Sequence, residues 1–514
     1  MTLSEAVARH ARTQPDGVAF VTDDDRITWR EYDRWADRLA GALARRGLSA
    51  GDRVAVLLHD GPAVHAAFVA IERAGFVIVG IGPRAGAREI EHLVGLTGSR
   101  LVVTDDDLGA RVAHLGLTLV DPTDERPDPD DPADADPLPG DPAGGMRPVD
   151  VGDLWLCNST SGTTGLPKCV MHDQQRWFAF HRLAVAAADL GADDVFMSVL
   201  PAPFGFGIWT AHVTPTLLGA PTVVMPQFDA ARALDLLERE RVSVLAAVTT
   251  QFVMLLEEPT LEIRDLSALR VLFTGGEMVP YRRAREFEER TGCTVLQFYG
   301  SNETGALSRT SLTDPPEVRL RTAGRVIPEM AVRLLADDGS DVTATGGPGI
   351  AACRGPLTCL GYYGDPEADA RLRTPDGWML TGDLCAIDGD VLSVTGRTSD
   401  IIIRGGKNIS AAQVEDEVGT HPAVALVAAV AMPDPVFGER VCVYVEAAPG
   451  ASAPDLGALQ DHLAARGVGK ELWPERVVVL DALPIASGGK VAKGELREDV
   501  RRLLAAESGV TGDR

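Results

Sequence analysis

Residues 159–168, Ser-Thr-Ser-Gly-Thr-Thr-Gly-Leu-Pro-Lys, form a stretch rich in hydroxyl groups and glycine that ends in a lysine. It follows the apolar run 154–157, Leu-Trp-Leu-Cys, which is typical of a strand. A loop of this composition presents backbone N–H groups, hydroxyls and an ammonium group, which a polyphosphate requires. The spacing Gly162-x-x-Gly165-x-x-Lys168 does not fit the GxxxxGK[ST] pattern of the P-loop. Taken alone, the stretch indicates either another kind of phosphate loop or a flexible linker.

Four further motifs decide between these two interpretations. In chain order they are Tyr299-Gly300-Ser301-Asn302-Glu303-Thr304, then Thr381-Gly382-Asp383, then Gly396-Arg397 with Gly405-Gly406-Lys407-Asn408-Ile409, and last Gly489-Lys490. With the loop 159–168, their order and separations resemble those of the adenylate-forming enzymes: acyl- and aryl-CoA synthetases, stand-alone adenylation domains and luciferases. The resemblance covers roughly residues 1–500. It favours a phosphate loop at residues 159–168.

Composition restricts the class of protein. A chain of 514 residues is long enough for more than one domain, and 45% hydrophobic residues suit a globular protein. A net charge of −25 argues against a nucleic-acid surface. The seven cysteines are dispersed, with no CxxC pair or metal-ligand spacing, which is typical of reduced thiols. No signal peptide and no apolar run of membrane-spanning length is evident. We therefore expect a cytoplasmic protein with no membrane span.

The segment pattern predicts an α/β fold. Helix-like and strand-like segments alternate over residues 31–103 and again over 153–297, as in βαβ units with a mostly parallel sheet. The pattern predicts helices near 174–188 and 230–239, a strand at 294–297, and a Gly-Ser-Asn turn between Tyr299 and Glu303. Residues 121–148 are rich in Asp and Pro and are predicted to be a solvated connector. Beyond Gly349 the strands shorten, which indicates a β-rich subdomain. We expect a large N-terminal adenylation domain, residues 1–397, and a smaller mobile α+β lid domain, residues 398–514.

The resemblance implies how the loop and the second motif bind ATP. The loop offers hydroxyl and N–H donors to the β- and γ-phosphates, and Lys168 neutralises them. Glu303 holds Mg²⁺, which suits a hard cation that binds one carboxylate together with phosphate oxygens. Thr304 contacts the α-phosphate, and Tyr299 lies against adenine. The other residues expected to bind the nucleotide here are Thr160, Ser161, Gly162, Thr163, Thr164, Gly165, Gly275, Gly276, Glu277 and Gly300.

The later motifs are expected to complete the site. By the resemblance, Asp383 accepts both ribose hydroxyls and Arg397 reaches the same sugar. Lys490 swings into the site and bridges the acid carboxylate and the α-phosphate, so the expected catalytic group is Lys490, Glu303, Thr304 and Lys168. Gly405 and Gly406 border a tunnel for the pantetheine of coenzyme A. The hinge position is Ser399, where the family more commonly has Asp or Lys.

An aromatic stretch indicates where the acid binds. Residues 203–209, Pro-Phe-Gly-Phe-Gly-Ile-Trp, fall in the family's aromatic-gate region, and residues 249–252 are expected to form another wall. Large flat side chains favour a compact aromatic or alicyclic acid over a long alkyl chain. The same aromatic residues are also compatible with an ordinary core. The expected pocket residues are Phe204, Phe206, Trp209, Thr250, Phe252 and Ser301.

The resemblance implies ATP-dependent formation of an acyl-AMP, release of pyrophosphate and transfer of the acyl group to coenzyme A. The sequence looks most like aryl- or cyclohexanecarboxylate-CoA ligases. Two alternatives remain open: another acceptor, a carrier protein or an amine, or activation of nitrite for diazotisation of an aryl amine. A degenerate nucleotide-binding module is disfavoured because each expected catalytic group is present. Homodimerisation stays open.

Overall fold

The computed structural model of the chain describes residues 1–128, 150–160, 167–277, 279–397, 400–405, 407–486 and 490–507. Most of the expected connector 121–148 lies outside these residues, although Pro122–Glu125 form a short 3-10 helix within them. The side chain of Arg397 is also outside the described part. The other residues of the expected site and hinge that lie outside it are Ser161, Gly162, Thr163, Thr164, Gly165, Ser399 and Gly406.

The helices are distributed along the whole chain. They are α1 (Leu3–Thr13), α2 (Trp29–Ala44), α3 (Pro62–Arg73), α4 (Ala87–Thr97), α5 (Asp106–Gly109), α6 (Gln174–Ala188), α7 (Gly205–Gly207), α8 (Thr214–Leu218), α9 (Ala230–Arg239), α10 (Thr249–Glu257), α11 (Tyr281–Thr291), α12 (Pro316–Arg321), α13 (Pro366–Arg371), α14 (Ala411–Val418), α15 (Leu456–Ala465) and α16 (Lys493–Glu507). A π-helical stretch, Ile208–Val213, joins α7 to α8.

The strands of the N-terminal unit are β1 (Val18–Val21), β2 (Arg26–Thr28), β3 (Arg53–Leu57), β4 (Val77–Ile81), β5 (Leu101–Thr104), β6 (Thr118–Val120), β7 (Leu156–Ser159), β8 (Cys169–His172), β9 (Phe196–Ser198), β10 (Thr222–Val223), β11 (Val244–Ala246), β12 (Val271–Gly275), β13 (Thr294–Ser301), β14 (Gly305–Arg309), β15 (Arg325–Val326), β16 (Ala331–Leu335), β17 (Gly349–Arg354), β18 (Gly361–Tyr362), β19 (Met379–Asp388) and β20 (Val391–Arg397). Those that follow are β21 (Ile401–Arg404), β22 (Lys407–Ser410), β23 (Val424–Asp434), β24 (Gly438–Ala447) and β25 (Arg476–Leu480).

Two sheets organise the N-terminal unit. Among the described residues, the smaller has seven strands in the order β18-β8-β7-β4-β3-β5-β6, parallel from β7 to β6. The larger has 13 in the order β16-β17-β19-β20-β15-β14-β13-β12-β11-β9-β10-β1-β2. The neighbouring strands β1, β10, β9, β11, β12 and β13 are parallel. Beyond β13 the sheet continues with antiparallel strands, from β14 to β16 at the edge. This is the α/β fold with a β-rich extension that the pattern predicts.

The parallel strands are apolar because helices cover both faces. The strand β3 reads Arg-Val-Ala-Val-Leu, and its last four residues are buried, as are all five residues of β4. Strands buried on both faces read as continuous apolar runs rather than alternating ones. Core packing on both faces therefore positions the carboxyl ends of these strands, where ligands of open α/β sheets bind.

A separate sheet follows residue 400. It has the order β22-β21-β24-β23, with β25 parallel to β24, and its apolar face packs on α14 and α15. The helix α16 packs on the other face through Leu496 and Val500. The mixed α/β fold with a smaller C-terminal domain is confirmed, whereas the boundary at residues 397 and 398 stays a prediction. Within the described residues, no helix combines the length and apolarity needed to cross a bilayer.

Several elements differ from the sequence prediction. The strand β13 extends to Ser301 rather than ending at Gln297, so Tyr299, Gly300 and Ser301 lie in a strand and not in a turn. Antiparallel pairing with β14 extends it, because Ser301 pairs with Gly305. The pattern also missed α1, although Thr2 and Glu5 form a capping box that marks its start.

Candidate active site

The second motif and Asp383 meet through a hydrogen bond. Tyr299, in β13, donates its hydroxyl to Asp383 Oδ2 at 2.9 Å. Burial raises the pKa of Tyr299 well above its usual value, with Asp383 as the next cause, so the phenol stays protonated and donates. Asp383 lies in β19, where its backbone pairs with Arg397 of β20. A carboxylate accepts several hydrogen bonds, so Asp383 can still accept from a ligand.

The side chain of Tyr362 contacts both Glu303 and Lys168. The hydroxyl of Tyr362 donates to Glu303 Oε1 at 2.8 Å, and Lys168 Nζ lies 4.8 Å from the centroid of the same ring. Thr160, at the start of the expected phosphate loop, donates its backbone N–H to the carbonyl of Lys168 at 3.0 Å. Tyr362 thus connects the end of the loop with the expected metal ligand, and sequence reasoning missed it.

The turn after β13 is held internally. Ser301 Oγ accepts the backbone N–H groups of Glu303 and Thr304, and Ser301 N–H donates to Thr304 Oγ1 at 2.9 Å. Thr304 is fully buried, and its hydroxyl donates to the carbonyl of Gly305. The observed role of Thr304 is to shape this turn, and its contact with an α-phosphate stays a prediction.

Backbone crowding explains two glycines of the site. A Cβ atom on Gly300 would lie 1.7 Å from the carbonyl oxygen of Gly305, so no other residue fits there. Gly276 has a φ of +84°, and a Cβ atom there would lie 2.9 Å from Lys490 Nζ. This close approach brings a lysine from the C-terminal unit against the end of β12. Since Gly275 pairs with Phe298 in the neighbouring strand, Lys490 also lies near the strand position of Tyr299.

Charged side chains of the C-terminal unit also lie near Glu277 of the N-terminal unit. Burial raises the pKa of Glu277, while the charges of Lys490 and Lys493 lower it. Elsewhere along the junction, Arg282 donates to the carbonyl of Thr420 at 3.1 Å, and Leu426 packs on the apolar cluster around Leu245. The C-terminal unit is therefore docked with its lysine directed at the site.

The loop that carries the expected acid pocket rests on the smaller sheet. Asp60 Oδ1 accepts the backbone N–H of Ala202 at 2.6 Å. A Cβ atom on Gly80 would lie 2.8 Å from Pro203 Cβ, and one on Gly82 would lie 2.9 Å from the ring of Phe204. The two glycines at the end of β4 thus leave room for the loop.

The aromatic residues of this region form one group behind the loop. The rings of Phe206 and Trp209 stack with centroids 5.5 Å apart, and Trp209 is 2% exposed. Phe180 and Phe298 contact Trp209 with centroids 4.8 and 5.3 Å away, and the sequence analysis missed both. The strand alternation that places Phe298 opposite Tyr299 was the available signal.

Phe252 does not belong to this aromatic group. It is fully buried in the apolar cluster around Leu245, where its ring meets Phe287 of α11 edge-on with centroids 5.8 Å apart. Its assignment as a pocket residue stays a prediction. Thr250, two residues earlier, is 6% exposed.

A chain of polar side chains lies beneath the loop and the turn, and sequence reasoning missed it. Arg176 is buried and donates to the carbonyl of Asn302 at 2.9 Å while also contacting His172 Nδ1. His172 Nε2 and Asn302 Nδ2 both contact Asn158 Oδ1, at 2.7 and 2.6 Å. Asn158 Nδ2 donates to the carbonyl of Pro203 at 3.0 Å. The carbonyl preceding Glu303 and the acid loop are therefore joined by one network.

The residues expected at a coenzyme A tunnel lie in the C-terminal sheet. Gly405 has a φ of +57° and donates its N–H to the carbonyl of Phe437 at 2.8 Å. Its neighbour Arg404 is engaged by Glu475 Oε1 at 2.6 Å. These contacts stay within the C-terminal unit, so a role in binding coenzyme A stays a prediction.

Comparison with known proteins gives the family. The model for AMP-binding enzymes matches residues 7–363, and that for the C-terminal domain of AMP-binding enzymes matches residues 413–490. The indoleacetate–CoA ligase of Aromatoleum aromaticum is 32% identical over 518 residues, 99% of each chain. The salicyl-AMP ligase/salicyl-S-ArCP synthetase of Mycobacterium tuberculosis is 33% identical over 538 residues, 100% of this chain and 93% of that protein.

Two further matches extend this result. A medium-chain fatty-acid–CoA ligase of Escherichia coli is 36% identical over 351 residues, 68% of this chain but only 61% of that protein. The crystal structure of ATP-bound MatB from Rhodopseudomonas palustris superposes with a TM-score of 0.84 at 26% identity, covering 97% of this chain and 99% of that one. The chain therefore belongs to the AMP-binding enzyme family and is an adenylate-forming enzyme of the acyl- and aryl-CoA ligase type.

Proposed function

We propose that this enzyme activates a small aromatic or alicyclic carboxylic acid with ATP and transfers the acyl group to coenzyme A. The observation that carries the proposal is the position of Lys490, whose Nζ lies against Gly276 beside the strand of Tyr299. A cation at this point can stabilise charge that develops where a carboxylate attacks the α-phosphorus.

In the first step, an oxygen of the acid carboxylate bonds to the α-phosphorus while the bond to the pyrophosphate oxygen breaks. Negative charge accumulates on oxygens, so the enzyme acts by positioning and by cationic stabilisation. Lys490 bridges the carboxylate and the α-phosphate. Asp383 accepts hydrogen bonds from the ribose hydroxyls, and the hydroxyl of Tyr299 orients the Asp383 carboxylate. Lys168, above the ring of Tyr362, neutralises the outer phosphates.

Glu303 fits the expected magnesium ion. Mg²⁺ binds through one or two carboxylates and otherwise through phosphate oxygens and water. Within the described residues, no group of three or more His, Cys, Asp or Glu side chains gathers as a metal site. A single carboxylate beside a phosphate loop matches an ion that arrives with ATP, and the ion would withdraw charge from the phosphates.

Replacing Tyr362 with Phe tests this assignment. The substitution removes the hydroxyl that orients Glu303 Oε1 and retains the ring beneath Lys168. Loss of such an outer contact costs roughly tenfold in metal affinity, so we expect the Mg²⁺ midpoint to rise about tenfold with little change in rate at saturating Mg²⁺. Titration of pyrophosphate release with Mg²⁺ measures both quantities. Tyr363→Phe is the control, and an unchanged midpoint in Tyr362→Phe would remove Tyr362 from the metal site.

The aromatic residues of the acid loop support a compact acid as the substrate. Phe204 lies on Gly82, and the stacked rings of Phe206 and Trp209 back the loop with Phe298. Phe204 and Phe206 are half-buried and offer flat apolar surfaces of the kind that line a pocket for a ring. The relatives named for indoleacetate and salicylate also act on ring-bearing acids.

The second step forms the thioester. The thiol of coenzyme A attacks the acyl carbonyl, the bond to the AMP phosphate oxygen breaks, and AMP leaves. A carrier protein with the same phosphopantetheine thiol is the second candidate acceptor, favoured by the match to the salicyl-S-ArCP synthetase. An amine acceptor, or nitrite in place of the acid, would use the same nucleotide site.

Product analysis distinguishes these possibilities. Purified enzyme receives ATP, Mg²⁺ and a panel of benzoates, cinnamates and cyclohexanecarboxylate, with and without coenzyme A. We expect pyrophosphate in both cases and an acyl-CoA thioester only with coenzyme A. Pyrophosphate without thioester would redirect the proposal to a carrier protein or an amine. A parallel reaction contains nitrite and an aryl amine in place of the acids. Pyrophosphate release in that reaction, together with none from any carboxylic acid of the panel, would overturn the proposal.

A further inference from the structure

The start of the acid loop, residues 201–209, has few backbone groups that can hold it to the rest of the protein. Pro201 and Pro203 carry no N–H group, and the N–H of Phe204 turns back to the carbonyl of Pro201 at 3.1 Å. Ala202 therefore supplies the donor that residues 201–204 have left for a partner outside the loop. That partner is Asp60, whose Oδ1 accepts the Ala202 N–H at 2.6 Å.

This hydrogen bond lies where the loop meets the smaller sheet. Asp60 follows β3, which pairs in parallel with β4. At the end of β4, Gly80 lies against Pro203 and Gly82 lies against the ring of Phe204. Three successive loop residues are thus seated on the ends of two neighbouring strands, and Asp60 makes the polar contact of the first of them.

Burial makes the acceptor important for the position of the loop. Ala202 is 1% exposed, so its N–H cannot turn to water in place of Asp60 while the loop stays seated. A buried N–H without an acceptor is unfavourable, and movement of the loop would relieve it. Because the prolines on both sides of Ala202 stiffen the backbone, such a movement would carry Phe204 away from Gly82. Asp60 therefore acts on the predicted pocket through the backbone of the loop.

We propose that Asp60 is a positioning residue for the acid substrate: by accepting the Ala202 N–H, its carboxylate holds Phe204 in place and so sets the affinity for the acid. The inference rests on the proposed function and adds to it a residue outside the predicted pocket. A hydrogen bond to an ionised acceptor is roughly twice as strong as one to a neutral acceptor. The affinity for the acid is therefore expected to depend on the charge of Asp60.

The surroundings of Asp60 allow this charge to change near neutral pH. Burial raises the pKa of Asp60 to about 7, although the Ala202 N–H and the charge of Arg84 lower it. Asp60 lines a cavity of about 200 Å³, whose other charged or titratable side chains, among the described residues, are Asp25, His59, Asp105, Asp121 and Arg126. Lowering the pH from 8 to 6 should convert most of Asp60 to its neutral form and weaken its hydrogen bond with Ala202.

The pH profiles of the wild-type enzyme and of Asp60→Asn provide the first test. KM is measured for the panel acid that releases pyrophosphate fastest, at saturating ATP and Mg²⁺, between pH 6 and 8. For the wild type, we expect KM for the acid to rise several-fold as the pH falls. Asparagine retains a neutral oxygen acceptor, so Asp60→Asn should have a KM that is independent of pH and close to the wild-type value at pH 6. A wild-type KM that does not change with pH, or a dependence that persists in Asp60→Asn, would contradict the inference.

Two neighbouring side chains serve as controls for this profile. Histidines commonly titrate in this range of pH, and His59 precedes Asp60, so the dependence should persist in His59→Gln. Asp106→Asn removes an exposed carboxylate that follows β5, the other neighbour of β3, and should also retain the dependence. Loss of the dependence in His59→Gln, with its retention in Asp60→Asn, would assign it to the wrong residue and overturn the inference.

Asp60→Ala removes the acceptor altogether and separates positioning from a general loss of structure. At pH 8 we expect KM for the acid to rise roughly tenfold, because the buried Ala202 N–H then lacks an acceptor. KM for ATP should stay at its wild-type value, since the predicted nucleotide residues lie on other elements. An unchanged KM for the acid, or an equal rise in both KM values, would overturn the proposed role.

Amide exchange keeps this inference separable from the proposed function. Because Pro201 and Pro203 carry no N–H, exchange of the single amide hydrogen in residues 201–203 reports on Ala202 without any substrate. At pH 8, protection of this hydrogen should be strong in the wild type, weaker in Asp60→Asn and lost in Asp60→Ala. Absence of pyrophosphate with the whole panel would reject the proposed function, whereas unchanged protection of Ala202 in Asp60→Ala would reject the role of Asp60. Thermal unfolding identifies any variant that fails to fold, and the wild-type pH profile stands without them.

Discussion

Replacing Lys490 with Ala should slow acyl-AMP formation by a hundredfold or more while leaving the affinity for ATP nearly unchanged. Its Nζ is the cation that the C-terminal unit brings to Gly276, and a factor of a hundred corresponds to about 3 kcal/mol of transition-state stabilisation. ATP–pyrophosphate exchange measures the rate, and nucleotide binding is measured separately by calorimetry.

The second half-reaction supplies the contrast for Lys490. Thioester formation from preformed acyl-adenylate should be nearly indifferent to Lys490→Ala, because the proposed second step does not use this lysine. Lys470→Ala is the matched control, since that lysine also belongs to the C-terminal unit but lies over Trp473, 5.5 Å from the ring centroid. Equal slowing of both half-reactions by Lys490→Ala would contradict a lysine that acts in adenylation alone.

Replacing Asp383 with Ala should weaken both ATP binding and the rate of adenylation. The substitution removes the proposed acceptor for two ribose hydroxyls and the carboxylate to which the hydroxyl of Tyr299 donates. Hydrogen bonds to a charged group contribute about 1.5–3 kcal/mol each, so the loss of two should lower kcat/KM for ATP by roughly a hundredfold or more, with KM rising as well. Initial rates over a range of ATP concentrations separate the two parameters.

A neighbouring aspartate controls for the charge change. Asp388 ends the same strand, β19, and is exposed, so Asp388→Ala should leave KM for ATP at its wild-type value. Asp383→Asn, which retains one oxygen acceptor, should fall between the wild-type enzyme and Asp383→Ala. A normal KM for ATP in Asp383→Ala would show that the ribose is held elsewhere.

The sequence predicts the elements that depend on local patterns. The helices Gln174–Ala188 and Ala230–Arg239 have the predicted bounds, because an aspartate caps each start and apolar spacing marks each length. The alternation that predicts βαβ units reflects strands such as β4, which is buried on both faces. The bounds of β13 could not be read in the same way, since its last residues are strand only through pairing with β14.

For the candidate site, too, the sequence identifies the residues in motifs but not those that join the site only through folding. Motif order identifies Tyr299, Asp383 and Lys490 as residues of one site, although they are far apart in the chain. Tyr362 and Arg176 carry no such signal, because they join the site through β18 and α6 and contact it only after folding. Phe252 stays a predicted pocket residue, and its ring packs against Phe287 of α11 in a different apolar cluster from that of Trp209.

The glycines at the end of β4 offer a way to change the size of the proposed acid pocket without changing the proposed catalytic residues. Pro203 and Phe204 occupy the space that side chains at positions 80 and 82 would fill, so the volume at those positions determines how deeply the loop is seated. During divergence within a lineage, an alanine there would lift Phe204 and resize the pocket without altering any residue that contacts ATP. Substrate range could therefore evolve through the strand beneath the loop, and directed evolution confined to the pocket lining would miss those positions.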